Sequence, residues 1–144
     1  MLLLKTSKMK VKTKGREIAF KLLFAIDVGK NKLPDALMHF QYEHPVVIEY
    51  AVSLVNGTIE KMSQIDATIS SFLEDWSIER ISLVDKELLR IAIFEIENES
   101  EMSPGLVTFE TVELAKRYGD IASQDFINGV LRNYLRSKDA KSTA

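Results

Sequence analysis

An all-helical fold is what this sequence predicts, and three observations carry the prediction. Apolar residues recur three and four positions apart through most of the 144 residues, which is the period of one helix face. Signals for strands are weak throughout. Prolines and glycines are few, three and six, and most of them punctuate the periodic segments as helix starts, stops or turns. The chain length suits a single domain, and an apolar share of 46% is enough to fill one core.

The elements follow in order. Residues 1–13 read as a flexible basic arm, with lysine alternating with small or apolar residues. Arg16 opens a first helix, to about Val28, whose apolar residues Ile18, Ala19, Phe20, Leu22, Leu23, Phe24, Ala25 and Ile26 cover most of its circumference. One core-facing stripe needs fewer, so this helix is either central or has a second face for a partner. Gly29 is its expected stop. A second helix starts at Pro34 and ends near Tyr42, and a third starts at His44-Pro45 with proline in its first turn. Val47, Ala51, Leu54 and Thr58 mark the buried face of the third. Ile65, Ile69, Phe72, Leu73 and Trp76 form one stripe of a fourth. Ser77 or Ser82 caps the fifth, where only Arg90 and Glu95 are polar between Leu88 and Ile96. A helix apolar nearly all round is a buried one. Pro104-Gly105 is a turn. The sixth helix is expected from Thr108, as cap, to Tyr118, with Gly119 as its stop. The seventh begins near Ser123, and its Phe126, Ile127, Val130, Leu131, Tyr134 and Leu135 keep helical spacing. The domain is expected over 14–138, with a disordered tail at 139–144.

Several classes of function are disfavoured by composition. There is no cysteine, hence no disulfide framework and no thiolate metal site. The motifs of nucleotide-binding loops, zinc proteases and serine hydrolases are absent. His39 and His44 have no acidic cluster at metal-ligand spacing, so no metal, cofactor or catalytic residue is assigned. Glu95, Glu97, Glu99 and Glu101 alternate without a nearby histidine and read as a solvated face. Glu110 and Glu113 suit the helix dipole and a pair with Lys116 or Arg117. Arg90, set among apolar residues, needs a carboxylate partner, with Asp85, Glu87 and acids on neighbouring helices as candidates. Gly129, inside a strong helix, costs about 1 kcal/mol relative to alanine. Close helix packing or close approach of a ligand would offset that.

Met1-Leu2-Leu3-Leu4-Lys5 is too short and in the wrong order for a secretory signal, and no run is long enough to span a membrane. A cytoplasmic protein is expected. Its charge is uneven. Residues 1–32 hold nine Lys and Arg against Glu17 and Asp27, or +7. With a net charge of −2, the other 112 residues carry −9. A basic arm on an acidic body points to a polyanion partner, nucleic acid first, or to a lysine-rich terminus that only aids solubility.

Three segments resemble one known family. Arg16-Glu17-Ile18-Ala19 with Leu22-Leu23-Phe24 is similar to the first helix of the NusB family of transcription antitermination proteins. Val84-Asp85-Lys86 with Leu88-Leu89-Arg90-Ile91-Ala92 and Glu95 resembles its central helix. Glu113 to Gly119, followed by Phe126-Ile127-Asn128-Gly129-Val130-Leu131, resembles its C-terminal motif. The resemblance implies seven helices in two packed helical subdomains and a non-enzymatic role. It implies binding of single-stranded boxA RNA in ribosomal RNA leader transcripts, together with NusE, a ribosomal protein of the small subunit, within an antitermination complex on RNA polymerase. Carried over by position, RNA contact falls to Lys10, Lys12, Lys14 and Arg16 and to Ser123, Gln124 and Phe126. NusE contact falls to Phe24 and Asp85. Phe126 serves as a stacking surface or as core. About four phosphate contacts would give a slope of log affinity against log salt near −3.

The departures from the pattern are specific. The arm is lysine-rich where the family favours arginine, so it attracts phosphate without a planar fork for reading bases. Asp125 stands where lysine is frequent and repels phosphate. Phe109-Glu110-Thr111 replaces an Asn-Glu-Ala opening. Two alternatives remain at this point. One is a protein-interaction scaffold with weak RNA binding. The other is an accessory module of the kind found in ribosomal RNA methyltransferases, which this chain could not make active without a cofactor domain and a nucleophilic cysteine.

Overall fold

The computed structural model describes residues 2–74, 77–99 and 101–143. Seven α-helices and two short 3-10 turns make up the regular structure of these residues, and no strand occurs among them. They form two compact units, one ending at Glu60 and the other starting at Lys61.

The first unit consists of α1 (Leu2–Gly29), α2 (Leu33–Leu37), a 3-10 turn (Met38–Phe40) and α3 (Pro45–Glu60). Helix α1 packs against α3 and α2. Ile18, Ala19, Phe20, Leu22 and Leu23 of α1 are buried, as are Val47, Ala51, Leu54, Val55 and Thr58 of α3. Gly15 is fixed by this packing, because a Cβ there would lie 2.8 Å from Cδ2 of Tyr50. The imidazole Nδ1 of His44 accepts from the Val46 N–H at 3.1 Å, which satisfies one orphan donor at the start of α3.

Three expectations for this unit change. Helix α1 does not start at Arg16. Residues 2–13, read as an arm outside the helix, continue it back to Leu2. They contain no proline or glycine, and their leucines, lysines and methionine are good helix formers. Gly29 is the last helical residue rather than the left-handed stop. That conformation falls on Lys30, at φ 56°. The second helix is also shorter than expected, its last turns tightening into the 3-10 segment.

The second unit consists of α4 (Met62–Ser70), a 3-10 turn (Ile78–Arg80), α5 (Leu83–Asn98), α6 (Pro104–Tyr118) and α7 (Ser123–Thr143). Helix α5 packs against α4, α6 and α7. It is the buried helix that its sequence requires, with Leu88, Leu89, Ile91, Ala92 and Ile93 all at most 2% exposed. Each fully buried leucine or isoleucine contributes about 1.5–3 kcal/mol. Ser82 caps α5 by accepting from the Asp85 N–H at 3.1 Å. Trp76, expected on the α4 stripe, lies outside the described residues.

Arg90 has its structural partners. Its Nε and Nη2 donate to Asp66 Oδ1 and Oδ2 at 2.8 and 2.7 Å, and Nη1 donates to Glu87 Oε1 at 2.8 Å. Asp66 stands on α4, so this bidentate fork ties α4 to α5.

Three readings are corrected here. The cap of α6 is Ser103, whose hydroxyl accepts from the Leu106 N–H, with Pro104 in the first turn. Thr108 lies inside the helix and donates to the Pro104 carbonyl at 2.9 Å. The run from Glu95 to Glu101 is not wholly a solvated face. Glu95 is fully buried because it follows Leu88 and Ile91 on the interior stripe, and Glu97 accepts from the Tyr134 hydroxyl at 2.7 Å. Finally, α7 continues to Thr143, so residues 139–143 of the expected tail are helical. Ala140 and Lys141, good helix formers, and the place of Lys141 at the negative end of the dipole favour that extension.

Candidate nucleic-acid interface

Helical spacing puts Lys10 and Lys14 on one face of α1 and Lys8, Lys12 and Arg16, four apart, on the other. Lys8, Lys10 and Lys14 are exposed. Lys10 and Lys14 lie one turn apart. The Lys14 ammonium is 3.1 Å from Glu43 Oε2 and its side chain keeps 57% of its exposure, so it is still offered to solvent. Lys12 and Arg16 point the other way. Lys12 is 9% exposed, with its ammonium 5.7 Å from the centre of the Tyr50 ring. Arg16 is 1% exposed. Phe24 is half-buried, its ring 6.0 Å from that of Phe20 and tilted by 52°.

In the second unit, the start of α7 is a knot of short hydrogen bonds. Asp120 Oδ1 accepts from the N–H groups of Ala122 and Ser123 at 2.9 and 3.0 Å, and lies 3.2 Å from the Ser123 hydroxyl. Ser123 Oγ in turn accepts from the Asp120 N–H at 3.1 Å. Asp120 and Ser123 therefore satisfy each other's backbone donors, as in a capping box. Gly119 is needed beside them, since a Cβ there would collide with Ser123 Oγ. Ser123 is buried as a result, Gln124 and Phe126 are half-buried, and Asp125 is exposed.

Asp85 belongs to the same knot. It is 7% exposed, and its carboxyl hydrogen-bonds with the side chains of Ser123 and Ser82. Even so, its Oδ1 is buried without a partner. Burial pushes the Asp85 carboxyl above its ordinary value of 3.8, the hydrogen bonds of Ser123 and Ser82 pull it down, and the Asp120 charge pushes it up. Two residues assigned by resemblance to different partners, Asp85 and Ser123, are thus neighbours. The sequence spacing of 38 positions gave no sign of it.

Of the expected site residues, Lys10, Lys14, Gln124 and Phe126 have accessible side-chain surface, while Lys12, Arg16 and Ser123 are turned inward. Sequence reading missed the exposure of Phe109 at 61%, although its departure from the expected Asn-Glu-Ala pattern was a signal. Among the described residues, no group of three or more His, Cys, Asp or Glu side chains is placed to hold a metal ion. No helix among them is long and apolar enough to cross a membrane.

Comparison with known proteins fits this architecture. The model of the NusB family matches residues 13–136. The transcription antitermination protein NusB of Clostridium acetobutylicum is 36% identical over 131 residues, covering 89% of this chain and 97% of its own. A crystal form of Thermotoga maritima (T. maritima) NusB superposes with a TM-score of 0.77 at 31% identity, covering 87% of this chain and 90% of its own. A chain from a crystal structure of antitermination factors NusB and NusE in complex with double-stranded RNA superposes with a TM-score of 0.78 at 26% identity, covering 90% and 98%. A family match through both helical units, with relatives matched along nearly their whole length, leaves one assignment: the chain belongs to the NusB family.

Proposed function

We propose that the chain is a transcription antitermination factor that binds boxA RNA of ribosomal RNA leader transcripts jointly with NusE, in the cytoplasm and within an RNA polymerase antitermination complex. The observation that carries this reading is its likeness, over 90% of its length, to a chain solved together with NusE and RNA. The surface chemistry supports it. Exposed Lys8, Lys10 and Lys14 on one helix attract phosphate, and Gln124 and Phe126 supply an amide and a ring at the start of α7. Lys12, Arg16 and Ser123 take positioning roles, holding α1 to its unit and fixing the first turn of α7. Phe24 and Asp85 are assigned to NusE contact.

Burial sharpens the expected salt response. With two or three lysines on phosphate instead of four cations, the slope of log affinity against log salt should lie near −2 rather than −3, at about −0.7 per phosphate for a single strand. Fluorescence anisotropy with a boxA oligonucleotide, with and without NusE, tests the whole reading. Binding that weakens with salt and tightens with NusE is expected. Absence of binding in both conditions would leave a protein-interaction scaffold, the reading favoured by the exposed Asp125 at the start of α7.

A further inference from the structure

Helices α6 and α7 enclose a groove of about 410 Å³. The α6 wall includes Phe109, and α7 contributes Gln124, Asn128 and Arg132, each one turn after the last on a single stripe. The groove holds two bases, Lys116 and Arg132, and two acids, Glu113 and Asp125. Lys116 and Glu113 neutralise each other at 2.9 Å. Such a groove is close to neutral, so it is no track for a phosphate backbone. It suits an uncharged planar ring. Phe109 offers a face for stacking. Gln124 and Asn128 each offer an amide donor and an acceptor for the edge of a base, and Arg132 offers a cation for a flanking phosphate.

Gly129 neighbours the groove without lining it. It is exposed, and nothing lies within 4 Å of where its Cβ would be, so helix packing does not require glycine there. It leaves bare backbone next to Asn128, which does line the groove. Gln124 belongs both to this groove and to the start of α7, so the groove continues the surface assigned to RNA.

We propose that the α6–α7 groove receives one splayed base of the bound RNA, beyond the segment held at the start of α7, stacked on Phe109 and read by Gln124 and Asn128. The proposal rests on the RNA-binding function above. It gives a role to Phe109, Asn128 and Arg132, which that function does not otherwise use.

The test compares a minimal boxA oligonucleotide with oligonucleotides lengthened one nucleotide at a time at either end. Binding is measured for the native chain and for Phe109→Ala, Phe109→Tyr, Asn128→Ala and Arg132→Ala. Extension at one end should tighten native binding about fivefold or more, the lower end of a base-on-aromatic stack. Phe109→Ala and Asn128→Ala should lose that gain while binding the minimal oligonucleotide normally, and Phe109→Tyr should keep it. Arg132→Ala should flatten the salt slope by about 0.7 on the longer RNA alone. If the variants match the native chain at every length, the groove is not an RNA subsite, though the antitermination reading stands. If Phe109→Ala weakens NusE binding and leaves RNA binding unchanged, the groove is a protein surface and the proposal falls. If the native chain binds no RNA, both readings fall together.

Discussion

Replacing Arg90 by alanine should unfold the second unit more readily than any exposed change, and the magnitude follows from the geometry of its partners. The Arg90 side chain is 11% exposed, that of Asp66 26% and that of Glu87 0%, with contacts of 2.7–2.8 Å. Alanine would remove the cation beside the fully buried Glu87 carboxylate and break the fork that ties α4 to α5. Breaking a buried pair by removing one member costs about 3–5 kcal/mol, a large share of the roughly 5–15 kcal/mol that holds a domain folded. At about 3 °C per kcal/mol for a chain of this size, the midpoint of thermal unfolding should fall by about 10 °C or more. Urea unfolding followed by circular dichroism would measure the loss directly, with an unchanged denaturant slope showing that the folded state is otherwise intact. The double variant Glu87→Gln with Arg90→Ala should recover about 1 kcal/mol or more, because the buried charge is gone. A loss below about 1 kcal/mol in the single variant, or no recovery in the double, would refute the claim that charge burial sets the cost.

Asp85→Asn should stabilise the chain at neutral pH. Burial raises the Asp85 pKa on folding, so the folded state holds this proton more tightly and the ionised carboxylate costs stability as pH rises through the folded value. The gain over the native chain should therefore be present at pH 7 and vanish below the ordinary carboxylate range, as thermal melts at several pH values would reveal. Ser103→Ala should cost about 1 kcal/mol as a lost cap, with Thr108→Ala costing less, in contrast to the cap expected from sequence. Gly129→Ala should raise stability by about 0.5–1 kcal/mol, since the site is exposed and open. Lys30→Gly should stabilise by about 1 kcal/mol, because the left-handed conformation penalises a Cβ.

Much of the helix order was legible because burial leaves a period in the sequence. The apolar circumference from Leu88 to Ile96 announced a central helix, and Arg90 among those residues announced its carboxylates. What failed to show was decided by partners distant in sequence. Gly15 lies against Tyr50 of α3, a contact that nothing local to α1 foretells. Lys12 and Arg16 look identical in kind to Lys10 and Lys14, and only the position of α3 turns one pair inward. Glu95 reads as one of four alternating acids, yet its place one turn beyond Ile91 buries it. The site was legible as motifs but not as geometry. Asp85 and Ser123 meet because α5 and α7 begin side by side, and no local pattern encodes such a meeting.

The continuity of α1 bears on how RNA would be captured. A helix of 28 residues is a rod of about 42 Å. Its basic end does not have to be ordered when a ligand arrives, whereas ordering a loose arm would consume about 1–2 kcal/mol for each backbone residue fixed. More of each lysine–phosphate attraction then survives as affinity. The same rigidity removes adaptability. Lys10 and Lys14 keep the spacing of one helical turn, and under the proposed function it is the RNA strand that would bend to meet them. Discrimination can thus reside in how readily a given RNA adopts that curve, even where no lysine touches a base.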